Sequence, residues 1–438
     1  MRVRCATETM DRPSGEKTIF RNVSRYRNFR WRRGTASAIA VWAAFFAVFL
    51  ALFAAIFVVF RAVGFRSVDS NATTNTIRSD SGSRVSGPSM APTLWGPHAE
   101  MTCPACQNRW NIHCQPEHRP HEPITCWNCG ASVPVDNATE LPGDLVQIQP
   151  LDGRPLTAGE LVAITDDTPT ADAKTPNWIV KRVAAVPGQS ISHQNGLLFA
   201  DDKPLAAIDA SGQPLEIAVH DDSFRNSNRS WWQPHVEAAS IERAGIEQTG
   251  RGFVLDASDG PTPWLDYHHF AVHDAMRPDV VRDDVPGNAT EVRLLVPVDS
   301  LAVTFEATTT ESIEIEVAFS IGEATAAVGR KLPPGYSVQR VNSDEAEPAN
   351  NAALPTVPIS IRLISGRATL SNLVVWRPLR YRIDPRDAAS QTWPIRLGDD
   401  EYYLLGDNVP LSIDSRDWGP IPRRRIVGRI YAVGYDGQ

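Results

Sequence analysis

Ser89 stands in the stretch Ser86-Gly87-Pro88-Ser89-Met90-Ala91-Pro92-Thr93-Leu94. Gly87 permits close backbone approach, and Pro88 and Pro92 fix φ on either side. Such a segment holds a hydroxyl rigidly and leaves nearby backbone N–H groups free to face a substrate. Alone, Ser-Gly-Pro is also ordinary turn chemistry, so the hydroxyl needs a base before it is a nucleophile. Lys181 is a candidate, because it follows Trp178-Ile179-Val180 and precedes Arg182-Val183-Ala184-Ala185-Val186. A lysine desolvated in such company loses proton affinity, since burial disfavours the charged form. A neutral lysine can then take a proton from a serine hydroxyl. The competing reading is a strand lysine whose ammonium snorkels to water.

A second polar group follows the strand-like Tyr402–Leu405, where Gly406, Asp407, Asn408 and Pro410 read as a turn. Beyond it, alternation predicts an extended segment with Ser412, Asp414 and Arg416 on one side. A hydroxyl, a carboxylate and a guanidinium on one face can orient a lysine through Ser412, with Asp414 and Arg416 holding each other. The plain alternative is a surface ion pair beside a turn.

Cysteines form the third group. Cys103-x2-Cys106 and Cys126-x2-Cys129, with 19 residues between the pairs, have zinc-ribbon spacing. Four thiolates on two tight knuckles converge tetrahedrally and close the shell, so the expected role of Zn²⁺ is structural. The alternative is a pair of disulfides in an oxidising compartment. Cys114, with His98, His113, His118 and His121, offers a substitute ligand, although four histidines in a polar loop are expected to be solvent-exposed.

The elements that must position these groups read as strands. Leu145–Gln149 alternates after a Pro142-Gly143 turn, Gly159–Ile164 repeats the pattern, and Ile426–Val433 closes the chain. Between about 205 and 385, Ile313, Ile315, Val317, Phe319 and Ile321 alternate with Glu314, Glu316, Ala318 and Ser320, and Ile359, Ile361 and Leu363 do likewise. That pattern predicts a β-sandwich. Trp231, Trp232, Trp264 and Trp376 fit either sandwich core or a stacking platform for a sugar. His268 and His269, beside Tyr267 and His273, lack the carboxylate or cysteine spacing of a metal site and read as a polar loop.

Composition supports this. A chain of 438 residues with 34 prolines and 12 tryptophans favours turn-rich β domains over a helical bundle. Net charge is −8, but the first 33 residues sum to +7 and the rest to −15, which makes the main body a poor nucleic-acid surface. Residues 36–60 carry no charge. As a helix they would be about 37 Å long, enough to cross a bilayer. No small-residue cleavage site follows, only Val58-Val59-Phe60-Arg61, so the segment reads as an uncleaved anchor. The basic head should stay cytoplasmic and the remainder outside, with residues 66–86 as a polar connector.

Four blocks thus stand in order: the anchor, Ser89-Met90-Ala91-Pro92-Thr93-Leu94, Lys181-Arg182-Val183 through Pro187-Gly188, and Gly406-Asp407-Asn408 through Ser412, Asp414, Ser415, Arg416, Trp418 and Gly419. This order resembles type I signal peptidase, the membrane-bound serine peptidases of family S26, over roughly residues 36–95, 141–200 and 400–435. The resemblance implies an antiparallel β core with its active site on the extracytoplasmic face of the plasma (inner) membrane. Its substrates would be exported preproteins, and catalysis would need no cofactor. Ser89 would be the nucleophile, Lys181 the general base, Ser412 the hydroxyl that orients the lysine, and Asp414 with Arg416 a supporting pair. Met90 would lie beside the substrate pocket. Gly87 stands where the family has serine or glycine, so the oxyanion would rely on backbone donors, the Ser89 N–H among them. Gln189 replaces an expected aspartate, and Val409-Pro410-Leu411 a usually polar stretch.

The expected organisation is mainly β. It comprises a basic tail (1–35), a transmembrane helix (36–62), a linker (63–84), a first core segment (85–204) carrying a zinc-ribbon insertion (99–134), a β-sandwich-like insertion (205–385) and a second core segment (386–438). Two rival functions follow from the same features. One is a non-catalytic, membrane-anchored binding protein on a peptidase-like core. The other is a self-cleaving Ser/Lys regulator, which would need a DNA-binding head that residues 1–33 are too short to supply.

Overall fold

The strand Trp178–Ala185, which carries Lys181, runs through a seven-stranded antiparallel sheet. The computed structural model describes residues 82–432 apart from 115–119, 121, 166–177, 210, 225–229, 236–244, 251, 275, 290, 349–356 and 390. The expected tail and transmembrane helix, and most of the linker, lie outside the described residues. Among the described residues no helix is long and apolar enough to cross a membrane. The chain is mainly β, and among the described residues the α-helices are two of five residues or fewer, at Pro385–Ala389 and Ser415–Trp418.

In order across the sheet the strands are Ser83–Arg84, Leu145–Pro150, Ile426–Ala432, Leu161–Thr165, Trp178–Ala185, Glu401–Leu405 and Ile421–Pro422. Each face is apolar, as the alternation requires. Val162, Ile164, Val183, Leu404, Ile421 and Ile426 pack on one another, and Met90, Leu94, Val146, Ala163 and Ile430 form a second cluster. Each fully buried aliphatic side chain is worth about 1.5–3 kcal/mol. Register sets the polar residues too: Lys181 stands opposite Val162, and Arg182 opposite Leu405.

The cysteine segment folds around a three-stranded sheet of Arg109–His113, His98–Thr102 and Thr139–Leu141, beside a hairpin of Ile124–Thr125 and Ser132–Val133. His98 and His113 are buried, contrary to their expected exposure. They are cross-strand partners rather than loop residues, and His98 Nδ1 lies 2.8 Å from the Gly96 carbonyl. His118 and His121 lie outside the described residues.

The middle of the chain forms two six-stranded sheets that share one core. Ile313, Ile315, Val317 and Phe319 from one sheet meet Val303, Phe305, Leu370 and Leu373 from the other. Trp231, Trp232 and Trp264 are buried, so they are not open to a sugar, and the half-buried Trp376 donates its Nε1–H to Thr304 Oγ1 at 2.9 Å. The long strand Arg367–Pro378 then passes directly into Leu379, Tyr381 and Ile383, which share a core with Leu198, Tyr403 and Leu405. The sandwich is therefore packed against the seven-stranded sheet by its exit segment.

Candidate active site

Lys181 is only 1% exposed, so its ammonium does not snorkel to water. Its Nζ donates to Ser412 Oγ at 2.8 Å, and the Trp418 ring lies 5.9 Å away. Burial pushes its pKa down to about 8, against the pull of the Asp414 carboxylate and with the help of Arg416.

The segment beyond Ser412 is not extended, as alternation predicted. Asp414 instead caps the short helix Ser415–Trp418, accepting from the Arg416 N–H at 3.1 Å while Asp417 Oδ2 accepts from the Asp414 N–H at 3.0 Å. This reciprocal capping satisfies the backbone locally and turns it into a helix instead of a strand. The cap does not separate the charged pair. Arg416 donates from Nε and Nη2 to the two Asp414 oxygens, each at 2.8 Å, and to the carbonyls of Arg382, Val409 and Ser412. Burial raises the Asp414 carboxyl, but Arg416 outweighs it and holds the pKa below the ordinary value.

Ser89 is half-buried at the head of a turn closed by Ala91 N–H to Pro88 O (3.0 Å) and Leu94 N–H to Met90 O (2.9 Å). The Gly406-Asp407-Asn408 segment grips this turn. Asn408 donates its backbone N–H to Ser89 O at 3.0 Å and its Nδ2–H to Pro88 O at 3.1 Å. Asp407 accepts from Thr93 Oγ1 at 2.5 Å, from Arg182 Nε at 2.9 Å and Nη2 at 2.6 Å, and from Tyr381 OH at 3.0 Å. Gly406 has no room for a side chain: a Cβ there would lie 2.1 Å from Ser412 Oγ and 2.5 Å from Ser89 O. The Ser412 hydroxyl and the Ser89 carbonyl therefore close in on the same side of Gly406. Sequence reasoning took Gly406, Asp407 and Asn408 as a turn and missed the clamp, and it missed Arg182 and Thr93. The adjacency of Arg182 to Lys181, with Asp407 in the later block left without an assigned partner, was the available signal.

Gly87, Ser89 and Met90 line a cleft of about 410 Å³ with Ser83, Arg84, Val85, Val146, Ile148, Trp178, Ile179, Val180 and Ile430. A Cβ on Gly87 would meet nothing within 4 Å, so this wall is open. The two departures from the family pattern are both accommodated. Gln189 Oε1 accepts from the Val186 N–H at 2.9 Å, closing the turn as a carboxylate would, and Val409 is buried in core while its carbonyl accepts from Arg416.

Away from this cleft, the sulfurs of Cys103, Cys106, Cys126 and Cys129 lie within 4.8 Å of one another and are all buried. Cys103 and Cys129 are 3.6 Å apart, and Cys106 and Cys126 are 3.8 Å apart. Tetrahedral Zn–S bonds of about 2.3 Å place sulfurs about 3.8 Å apart, whereas a disulfide needs about 2.05 Å. The thiols compete for protons: hydrogen bonds with Cys106 and Cys126 pull Cys129 down, while hydrogen bonds with Cys106 and Cys129 push Cys126 up. A divalent cation relieves that conflict by taking all four as thiolates. Neither His98, His113 nor Cys114 belongs to the group. Asn128, between Cys126 and Cys129, is fully buried; it donates to the carbonyls of Asp221 (2.9 Å) and Phe224 (3.1 Å) and accepts from the Asp221 N–H at 2.7 Å.

A family model described as signal peptidase, peptidase S26, matches residues 39–238 and 378–435. The match runs through the cysteine segment, and the unmatched stretch 239–377 holds most of the two-sheet sandwich. Over 38 residues the sequence is 45% identical to the probable signal peptidase I-2 of Synechocystis sp., which is 9% of this chain and 17% of that protein. The chain thus spans less than a fifth of the length of this curated relative.

Proposed function

The chain belongs to the signal peptidase family S26, and from that premise we propose that it is a membrane-anchored serine endopeptidase that removes signal peptides from exported preproteins. One observation carries the reading: a lysine 1% exposed donates to Ser412 Oγ at 2.8 Å, and that hydroxyl and the Ser89 carbonyl both crowd the same side of Gly406, 2.1 Å and 2.5 Å from where a Cβ would stand.

In this reading Lys181 is the general base and Ser89 the nucleophile. With a pKa of about 8, about a tenth of the lysine is neutral at pH 7; at an ordinary value near 10.4 the share would be under about one in a thousand. Neutral Lys181 takes the Ser89 Oγ proton as the oxygen attacks the carbonyl after a small residue. The Ser89 backbone N–H faces the developing oxyanion. The proton passes to the leaving amine, and Lys181 then activates the water that releases the signal peptide. Ser412 orients Lys181, Asp414 and Arg416 fix the Ser412 segment, and Met90 and Gly87 shape the cleft for small side chains. Residues 36–62 would anchor the chain in the plasma (inner) membrane with the tail 1–35 cytoplasmic, placing enzyme and signal helix in one bilayer and raising their effective concentration. Cys103, Cys106, Cys126 and Cys129 would hold a structural Zn²⁺ in a ribbon over 99–134, with the sandwich over 205–385 as a second insertion.

The test is trans cleavage of a preprotein by the detergent-solubilised full chain. Ser89→Ala and Lys181→Ala should each abolish cleavage while circular dichroism stays that of the parent. Normal turnover by either variant sinks the dyad.

A further inference from the structure

One turn of the stretch outside the family match reaches the Ser89 loop. Pro286–Asn288 forms a single 3-10 turn, and Asn288 and Asn408 are 1% and 0% exposed. Their amides pair reciprocally. Asn288 Nδ2 donates to Asn408 Oδ1 at 2.7 Å, and Asn408 Nδ2 donates to Asn288 Oδ1 at 2.8 Å. The orientation of the pair is dictated by its surroundings. Pro88 O can only accept, so the Asn408 group facing it at 3.1 Å is the NH₂. Asn408 Oδ1 then needs a donor where water does not reach, and Asn288 supplies it.

The consequence reaches Ser89 through covalent geometry. The Pro88 carbonyl and the Ser89 N–H belong to one planar peptide. Fixing the direction of Pro88 O therefore fixes the direction of the Ser89 N–H. Asn408 also holds the next carbonyl, Ser89 O, through its backbone N–H at 3.0 Å. The turn that presents Asn288 is itself held. Arg293 donates to Asn288 O and pairs with Asp284, its Nε 2.6 Å from Oδ1. Gly287 lies so close under Trp95 that a Cβ would sit 2.3 Å from the ring.

We propose that Asn288 is a positioning residue for the hydrolytic reaction, acting through Asn408 to hold the Pro88–Ser89 peptide so that its N–H faces the substrate carbonyl. The proposal rests on the reading of Ser89 as the nucleophile. It makes the inserted stretch part of the catalytic apparatus.

The experiment uses the detergent-solubilised full chain and a preprotein with an Ala-x-Ala cleavage site. In Asn288→Ala, kcat should fall about 10- to 100-fold with KM within about twofold. The pH midpoint of kcat/KM should stay in place, because Lys181 and Ser412 are untouched. Asn288→Asp keeps the volume but loses the donor, and should fall as far. The double variant Asn288→Ala/Asn408→Ala should be no slower than Asn408→Ala alone. If Asn288→Ala does not fold, Asn288→Ser, which keeps a hydroxyl donor, should retain more kcat than Asn288→Asp. A folded Asn288→Ala with parental kcat, or losses that multiply in the double variant, overturns the proposal. Turnover by Ser89→Ala in the same assay marks a failure of the nucleophile assignment instead.

Discussion

Lys181 Nζ and Ser412 Oγ lie 2.8 Å apart although 231 residues separate them in the chain. The hydroxyl accepts from the lysine and so sets where its remaining hydrogens, or the lone pair of the neutral amine, can point. Ser412→Ala should lower kcat by about 10- to 100-fold while the urea midpoint shifts by less than that of a core truncation. Parental kcat in this variant would remove Ser412 from the mechanism.

A rising limb near pH 8 is expected in kcat/KM, since the depressed pKa of Lys181 sets the fraction of free base. Stability follows the same group. The folded pKa, about 8, lies below the unfolded value near 10.4. Between those values the unfolded chain binds more protons, so this term favours folding increasingly as pH rises. Below about 8 the cost of a buried ammonium is present in full. Urea unfolding at pH 7 and pH 10 should show Lys181→Met gaining about 3 kcal/mol on the parent at pH 7, and most of that gain vanishing at pH 10. A pH-independent difference would contradict the depressed pKa.

Gly406→Ala tests how closely the two serines are spaced. Its Cβ would fall 2.1 Å from Ser412 Oγ and 2.5 Å from Ser89 O, one of them backbone. Relief requires the Ser89 turn and Ser412 to part. Stability should fall by about 1–3 kcal/mol and kcat by at least about 100-fold, read by urea denaturation and preprotein cleavage. A fully active alanine variant would contradict this packing.

Metal analysis of the purified full chain should find about one zinc per chain, lost in Cys126→Ser. Chelation should lower the melting temperature, because Asn128 transmits the knuckle's shape to the carbonyls of Asp221 and Phe224. Mass-spectrometric proof that Cys103, Cys106, Cys126 and Cys129 are all in disulfides would reject the metal.

Much of this was legible in the residues. The alternation in Ile313–Ile321 and Leu161–Thr165 marks strands because one or both faces of a sheet must be apolar. The apolar flanks of Lys181 allowed either burial or an ammonium snorkelling to water, and the structure buries it. What could not be read was pairing across the chain. Asp407 and Asn408 look like turn residues because their partners, Arg182, Thr93, Pro88 and Asn288, lie 120 to 320 positions away. Ser412, Asp414 and Arg416 were placed on one face by strand periodicity, but a local cap decided the backbone. His98 and His113 were assigned to a loop because polar residues dominate their neighbourhood, while the strand pairing that buries them is invisible from composition.

The order of strands has a consequence in time. Pro88 and Asn408 stand 320 positions apart, and Ile426–Ala432, the latest strand among the described residues, sits near the middle of the sheet between Leu145–Pro150 and Leu161–Thr165. A chain emerging from its N-terminal side presents the serine loop first, with neither its clamp nor the hydroxyl that orients the lysine. Until the closing strand inserts, the early strands have a gap at their centre. On the proposed mechanism, an interrupted chain that lacks Asn408 and Ser412 therefore carries Ser89 without the power to cleave.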